Sequence, residues 1–340
     1  MADNRQKTDL FAGDAKNKED SEKKDEITIR ETCETDSVRN DSTPVHRPKS
    51  LSEAMGESFW LALLWLFIVV FFAFTAELWP LPEYDYMDWD HPAAEPGIES
   101  RAPMKQINGE RAEDVVIYLL GTDTMGRDIV TRLIFGARVS LMVGLITPCF
   151  GLAIGGILGM LAGFYRGRIE WSIMVFMDAI LAFPGLVLLL VITFYLGPSL
   201  RNIIFALGFL TIPHFARVAR ANTLTFAERE FVQSARMLGM TDINIMLREI
   251  LPNIIMPLIV YALLVVSYMI VAEGALSFLG LGVPAPTPSW GGMIAEGKEV
   301  LDEAPHVSLF PALVLFLTVL SFNLIGDSLK RVLDSKEGQL

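Results

Sequence analysis

Arg229-Glu-Phe-Val-Gln-Ser-Ala-Arg-Met-Leu-Gly-Met-Thr-Asp-Ile-Asn-Ile-Met-Leu-Arg-Glu-Ile-Leu-Pro-Asn253 is a polar interruption in a very apolar chain. Apolar runs of membrane-crossing length flank it at about 203–219 and 255–272. Its own apolar residues recur at helical spacing, and Gly239 divides it. Leu251-Pro252 reads as a stop just before the next run, fixing where that span begins. A connection between two spans needs only a few residues. This one is long enough to be a small folded unit, two short helices with a sharp turn at Gly239, presented to the aqueous phase.

The rest of the composition sets the medium. Of 340 residues 52% are hydrophobic and 20% charged, and the apolar residues fall in blocks rather than at amphipathic spacing. That is the pattern of a chain that crosses a bilayer repeatedly. The net charge of -12 comes largely from acid in the N-terminal tail and in residues 80–128. No Lys/Arg cluster marks a soluble nucleic-acid face. Cys33 and Cys149 lie in unlike surroundings, and His46, His91, His214 and His306 are scattered, so neither a disulfide framework nor a zinc or histidine cage is indicated.

Residues 1–50 are polar and charged, cannot bury enough apolar surface to offset their ordering entropy, and read as a disordered tail. The first apolar run starts near residue 59 behind that tail, which makes it a retained anchor rather than a cleaved signal. It forms the first transmembrane helix within 55–80, with Trp60 and Trp79 near its ends and Pro80 and Pro82 closing it. Residues 81–135 are assigned to an extracytoplasmic loop and a surface helix, in which Arg127, Arg132 and Arg138 alternate with Ile129, Leu133 and Ile134.

Residues 136–330 form the core, with five further spans and the insert at 221–254. Span two, about 139–164, carries glycines at four-residue intervals, which lets helix backbones approach closely in lipid. Span three, about 172–196, is kinked or loosened at Pro184-Gly185, and span four ends near 219. Span five, about 255–272, passes into a Gly- and Pro-rich stretch, 273–292, read as re-entrant or surface-lying. Span six is about 308–326. The fold class is all-α, a polytopic membrane protein with six transmembrane helices, so both termini share one side. Arg166, Arg168, Arg217, Arg220, Arg229, Arg236 and Arg248 lie on the same side as the termini, which makes it cytoplasmic.

Chemistry is sparse. Asp178 and Glu273 are the carboxylates a membrane-embedded enzyme would use, and each reads equally as a capped or interface-exposed acid. His214 has no second ligand nearby. There is no Gly-rich phosphate loop with its Lys-Ser/Thr pair, so energy for active transport has to come from a partner. On composition the insert fits a groove in a soluble partner or rests on the headgroups.

Four stretches then carry a resemblance. Gln233-Ser-Ala235, three residues, Gly239 and then Leu251-Pro252 resembles the cytoplasmic loop motif of ABC-transporter permeases, with Gln233 and Ser234 standing where the family has Glu-Ala. Gly121-Thr-Asp-x-x-Gly-Arg-Asp128 with Gly136-Ala-Arg-x-Ser-Leu141 is similar to the dipeptide/oligopeptide group, C-type subunit. So are Leu276-Ser-Phe-Leu-Gly-Leu-Gly282 with Pro286-Thr-Pro-Ser-Trp-Gly291, and Phe322-Asn-Leu-Ile-Gly-Asp327.

This resemblance implies an ABC importer type I permease fold in the inner membrane and no covalent chemistry or cofactor in this chain. It implies ATP and Mg in two cytoplasmic ATPase partner subunits. A heterodimer with a B-type permease subunit and an extracytoplasmic peptide-binding protein complete the set, with membrane lipid around it and no nucleic acid; the same family pattern also serves nickel chelates or another small solute, the binding protein setting the cargo. The residues it marks for ATPase coupling are Gln233, Ser234, Ala235, Arg236, Gly239, Leu251 and Pro252.

Overall fold

The computed structural model describes residues 51–105 and 111–337, and the tail at 1–50 lies outside the described residues. Helix α1 spans Leu51–Thr75 and a hairpin of β1 (Ile98–Lys105) and β2 (Arg111–Tyr118) follows it. Next come α2 (Ile129–Phe150), a wide π turn at Gly151–Gly155, and α3 (Gly156–Tyr165). Helices α4 (Gly167–Leu181), α5 (Gly185–Leu196) and α6 (Leu200–Ala227) lead to the insert, which holds α7 (Glu230–Met237) and α8 (Asp242–Ile245). A second π turn at Met246–Ile250 joins α8 to α9 (Leu251–Phe278), and α10 (Trp290–Gly297) and α11 (His306–Glu337) finish the chain.

Five helical runs are long and apolar enough to cross a membrane: 56–78, 129–165, 200–227, 242–278 and 306–332. The sixth expected span is a broken one, with α4 and α5 meeting at 83°. Pro184 supplies the break, since it has no N–H and its ring excludes a continuing helix.

Other boundaries move as well. The arginine-bearing helix expected on the membrane surface is the first part of span two, whose helix begins at Ile129 behind an Asp128 N-cap. Arg127 and Arg132 are buried in ion pairs rather than laid on headgroups. Leu251-Pro252 stops nothing. The π turn before it widens the helix where Pro252 would crowd the Arg248 carbonyl, and helix runs from Asp242 to Phe278. In the stretch expected to be re-entrant, 273–278 remains helix, and the chain leaves it only at Gly280. The last helix extends beyond the expected span to Glu337.

Glycine spacing does the packing assigned to it. A Cβ at Gly155 would lie 2.4 Å from the Ile212 carbonyl oxygen, and one at Gly159 2.2 Å from that of Ala216. Gly151 and Gly163 face the same helix, so α3 and α6 touch backbone to backbone. The main core gathers Met160, Phe164, Ile203, Leu207, Phe215, Ile254 and Leu258 around that seam. A second cluster, with Val69, Leu141, Ile270 and Phe322 around the fully buried Trp290, joins α1, α2, α9 and α11.

Candidate functional site

Insert and hairpin lie at opposite ends of the bundle. Arg166, where α3 meets α4, pairs with Glu228 at the end of α6 through a 2.7 Å contact, which places both connections at the insert end. Glu296 of α10 pairs with Arg127, just before α2, at 2.7 Å, which marks the other end.

At the insert end, α7 is amphipathic. Val232 and Ala235 are buried in the main core, with Ile245, Met246 and Ile250 from the following turns. The Arg236 guanidinium lies over the Phe164 ring at 5.0 Å, pinning α7 to the end of α3. Gln233 donates from its side-chain amide to the Glu228 carbonyl at 3.2 Å. The helix then ends in a Schellman cap. Met240 N–H donates to Ala235 O at 3.1 Å and Gly239 N–H to Arg236 O at 3.0 Å, with Gly239 at φ +80°. This is the sharp turn expected of Gly239, although the helix after it is the start of span five. Around the cap three apolar side chains point outward: Met237 is 87% exposed, Leu238 85% and Ile243 62%. Ser234 is exposed beside them, and Pro252 stands exposed on the span while Leu251 is half-buried.

The structure therefore brings Gln233, Ser234, Ala235, Arg236 and Gly239 into one short capped helix. Leu251 and Pro252 lie after the next turn, at the start of α9, with Leu251 packed against the main core.

The opposite end holds a network that no single stretch of sequence announces. Asp123 accepts from Arg127 Nε at 2.6 Å and from the backbone N–H groups of Met125 and Arg127 at 2.8 and 3.0 Å. Arg132 Nε lies 3.3 Å from the same carboxylate, and Glu296 pairs with both arginines, at 2.7 and 3.0 Å. Both guanidinium groups are essentially buried. Buried charges are tolerable only when paired in this way. The Asp123-to-Arg127 spacing was visible in sequence, but the long-range partner Glu296 was not. Glycine is required here: a Cβ on Gly126, at φ +74°, would sit 1.9 Å from the Asp88 carbonyl oxygen.

Asp88 itself is gripped. Burial alone would raise its carboxyl, but hydrogen bonds from Ser100, His91 and the Asp90 N–H outweigh that and hold it below the usual 3.8. Tyr118, desolvated and beside Asp88, is pushed the other way, above the ordinary tyrosine range. Asp128 is raised by burial against the hydrogen bonds of its capping role.

The remaining candidates separate cleanly. Glu273 is buried and accepts from Ser277 Oγ at 2.9 Å and Ser289 Oγ at 2.8 Å, tying the end of α9 to the cap of α10. Asp178 pairs with Arg217 at 2.7 Å, far from Glu273 in chain and element, so the two do not form a dyad. His214 is exposed, with Nδ1 3.1 Å from the Leu210 carbonyl oxygen.

Comparison with known proteins supplies the missing class. Residues 155–338 match the family described as binding-protein-dependent transport system inner membrane component. The chain belongs to this family. It is a permease subunit of an ABC importer, a transport subunit and not an enzyme, in a family whose ATPase activity lies in partner subunits. It is 36% identical over 304 residues to the glutathione transport system permease protein GsiD of Pectobacterium atrosepticum, covering 86% of this chain and 95% of that one. The GsiD of an Escherichia coli strain is 38% identical over 275 residues, covering 81% and 85%. In fold, the permease resembles a chain of the MetNI methionine ABC transporter in an inward-facing conformation, with a TM-score of 0.50, 18% identity, and coverage of 58% of this chain and 93% of that one. Permeases of this kind lie in the inner membrane with several spans and work with a second permease, ATPase subunits and a binding protein.

Proposed function

We propose that this permease is the C-type half of a peptide importer, and that residues 229–253 carry the stroke of the ATPase partners to the spans. One observation carries the coupling role. A helix held on its inner face by Val232, Ala235 and Arg236 leaves Met237 and Leu238 bare to solvent, with Ile243 of α8 bare beside the turn. Apolar side chains that exposed, on a rigid capped turn continuous with span five, form the surface of a docking knob. A push on α7 passes through its core contacts to α3 and α6, and through the turn at Gly239 to α9.

Residues Gln233, Ser234, Ala235, Arg236, Gly239, Leu251 and Pro252 make up this coupling unit. The insert end, with Arg166, Arg217, Arg229, Arg236 and Arg248, is cytoplasmic under the positive-inside rule, and so are both termini. The hairpin end then faces the peptide-binding protein. A B-type permease completes the path, and two cytoplasmic ATPase subunits hold ATP and Mg. The similarity to permeases of glutathione transport systems supports a peptide cargo, glutathione being a peptide derivative. ATP binding and hydrolysis select between outward- and inward-open states, which is the physical content of the pump.

Gly239→Arg tests the coupling. In proteoliposomes holding the full complex, binding-protein-dependent uptake of a radiolabelled tripeptide is expected to fall to background. Full ATP-driven uptake by this variant would refute docking through the insert.

A further inference from the structure

A second polar feature is left unused by the coupling role. Helix α4 has 15 residues and α5 has 12, about 22 and 18 Å, so neither crosses the roughly 30 Å hydrocarbon layer alone. Their junction is exposed from Ala182 to Val187. Non-helical backbone at membrane depth is tolerated only inside protein or against a water-filled cavity. Asp178 stands one turn before this break, its carbonyl accepting from Ala182 N–H at 2.9 Å.

On the α4 side of the break, α4 and α6 line an open groove of about 810 Å³ through Trp171, Met174, Asp178, Arg217, Glu170 and Arg220. Its two ion pairs differ. Arg220 reaches Glu170 through both Nε and Nη2, and the pair is half-buried, which suits an anchor between α4 and α6. Arg217 makes one contact to Asp178, at 2.7 Å, with side chains 53% and 58% exposed. Each of these two groups therefore keeps hydrogen-bonding capacity to spare. His214 is exposed one turn further along α6. Charges this open on a spanning helix face water or protein, because lipid contact is too costly.

We propose that Asp178 and Arg217, together with the exposed α4–α5 break, form a site on the translocation path that takes the charged ends of a zwitterionic peptide. Asp178 receives the α-ammonium and Arg217 the carboxylate, so the peptide replaces their mutual contact without leaving either charge unpaired. The assignment rests on the peptide reading above and gives it a location in this subunit.

The test uses the complete transporter in proteoliposomes with its binding protein. Radiolabelled Ala-Ala-Ala is compared with its N-acetyl and C-amide forms, so each comparison is internal to one preparation and insensitive to the amount of folded protein. Arg217→Gln is expected to lower uptake of Ala-Ala-Ala relative to the C-amide form about fivefold, about 1 kcal/mol by RT ln 5. Asp178→Asn should do the same relative to the N-acetyl form. In a second measurement, Met174→Cys in a chain with Cys33 and Cys149 replaced by Ser should react with a charged maleimide in inside-out vesicles, and Ala-Ala-Ala should slow the reaction. Peptide uptake with unchanged ratios in both variants, or an unreactive Met174→Cys, overturns the site and leaves the peptide reading standing. A wild-type complex that hydrolyses ATP in response to its binding protein yet takes up no Ala-Ala-Ala overturns the peptide reading and the site together.

Discussion

The two ends of the bundle solve opposite problems with similar material. Each carries a short helix beside a positive-φ glycine, with arginines and carboxylates nearby. At the hairpin end, Asp123, Arg127, Arg132 and Glu296 are paired in charge and the two arginines are buried, although Arg132 Nε and Nη1 make no hydrogen bond. At the insert end the Arg166–Glu228 pair is exposed, and so are the apolar side chains of Met237, Leu238 and Ile243. The first end is finished within the chain. The second, in the proposed function, is completed by the ATPase partner. Motif resemblance alone does not separate the two cases, whereas burial does: the Gly121–Asp128 motif is built into the protein, and the 229–253 insert leaves Met237, Leu238 and Ile243 exposed, as the proposed docking role requires.

That contrast can be broken most severely at the closed end. Asp123→Ala leaves two buried guanidinium groups with Glu296 as their shared counter-charge, and should cost about 3–5 kcal/mol. Thermal unfolding of the purified subunit would show it, and a shift near zero would mean the network is solvated. Gly126→Ala should follow at about 2–4 kcal/mol, combining the clash with Asp88 and the positive φ.

At the open end the expected damage is to function. Nothing lies within 4 Å of a Cβ at Gly239, so Gly239→Ala should cost only the backbone strain of about 1–2 kcal/mol. If Gly239→Arg unfolds the isolated subunit much more than Gly239→Ala does, the surface is not free and the contrast fails. Met237→Ala with Leu238→Ala should change subunit stability by under about 0.5 kcal/mol, as befits exposed positions. The same pair should lower ATP-driven uptake and co-purification of the ATPase subunits about tenfold.

The smallest expected effect is a pH dependence at the hairpin. Asp88 has its folded value held below 3.8, so its contribution is present above 3.8 and is lost as pH falls through the folded value. Asp128 is raised and has the opposite sign: its contribution is present below 3.8 and lost as pH rises through its folded value. Pepsin cleavage within 98–118 should therefore accelerate as pH drops below 3.8, and Asp88→Asn should flatten that rise without abolishing the cleavage.

Much of this was legible from the chain. Block hydrophobicity located the crossings, glycines at 151, 155, 159 and 163 located a close seam, and Gly239 located a turn, because each depends on local composition or period. Other features were not. A proline reads as a stop, yet Pro252 is passed by widening the preceding turn, while Pro184 does break its helix; local sequence does not tell the two apart. Arg127 and Arg132 look amphipathic until Glu296, more than 160 positions away, is folded against them.

The sequence by itself determined that the chain lives in a bilayer, that it carries a polar insert between two spans, and that no ATP-hydrolysing equipment is among its motifs. Those are consequences of composition and spacing, which fix solvent preference and local conformation. Tertiary structure alone decided which arginines are buried and paired, which apolar residues of the insert remain bare, and which broken helix opens beside Asp178 and Arg217. Burial and pairing between distant residues depend on how the helices pack, which local composition and spacing do not specify.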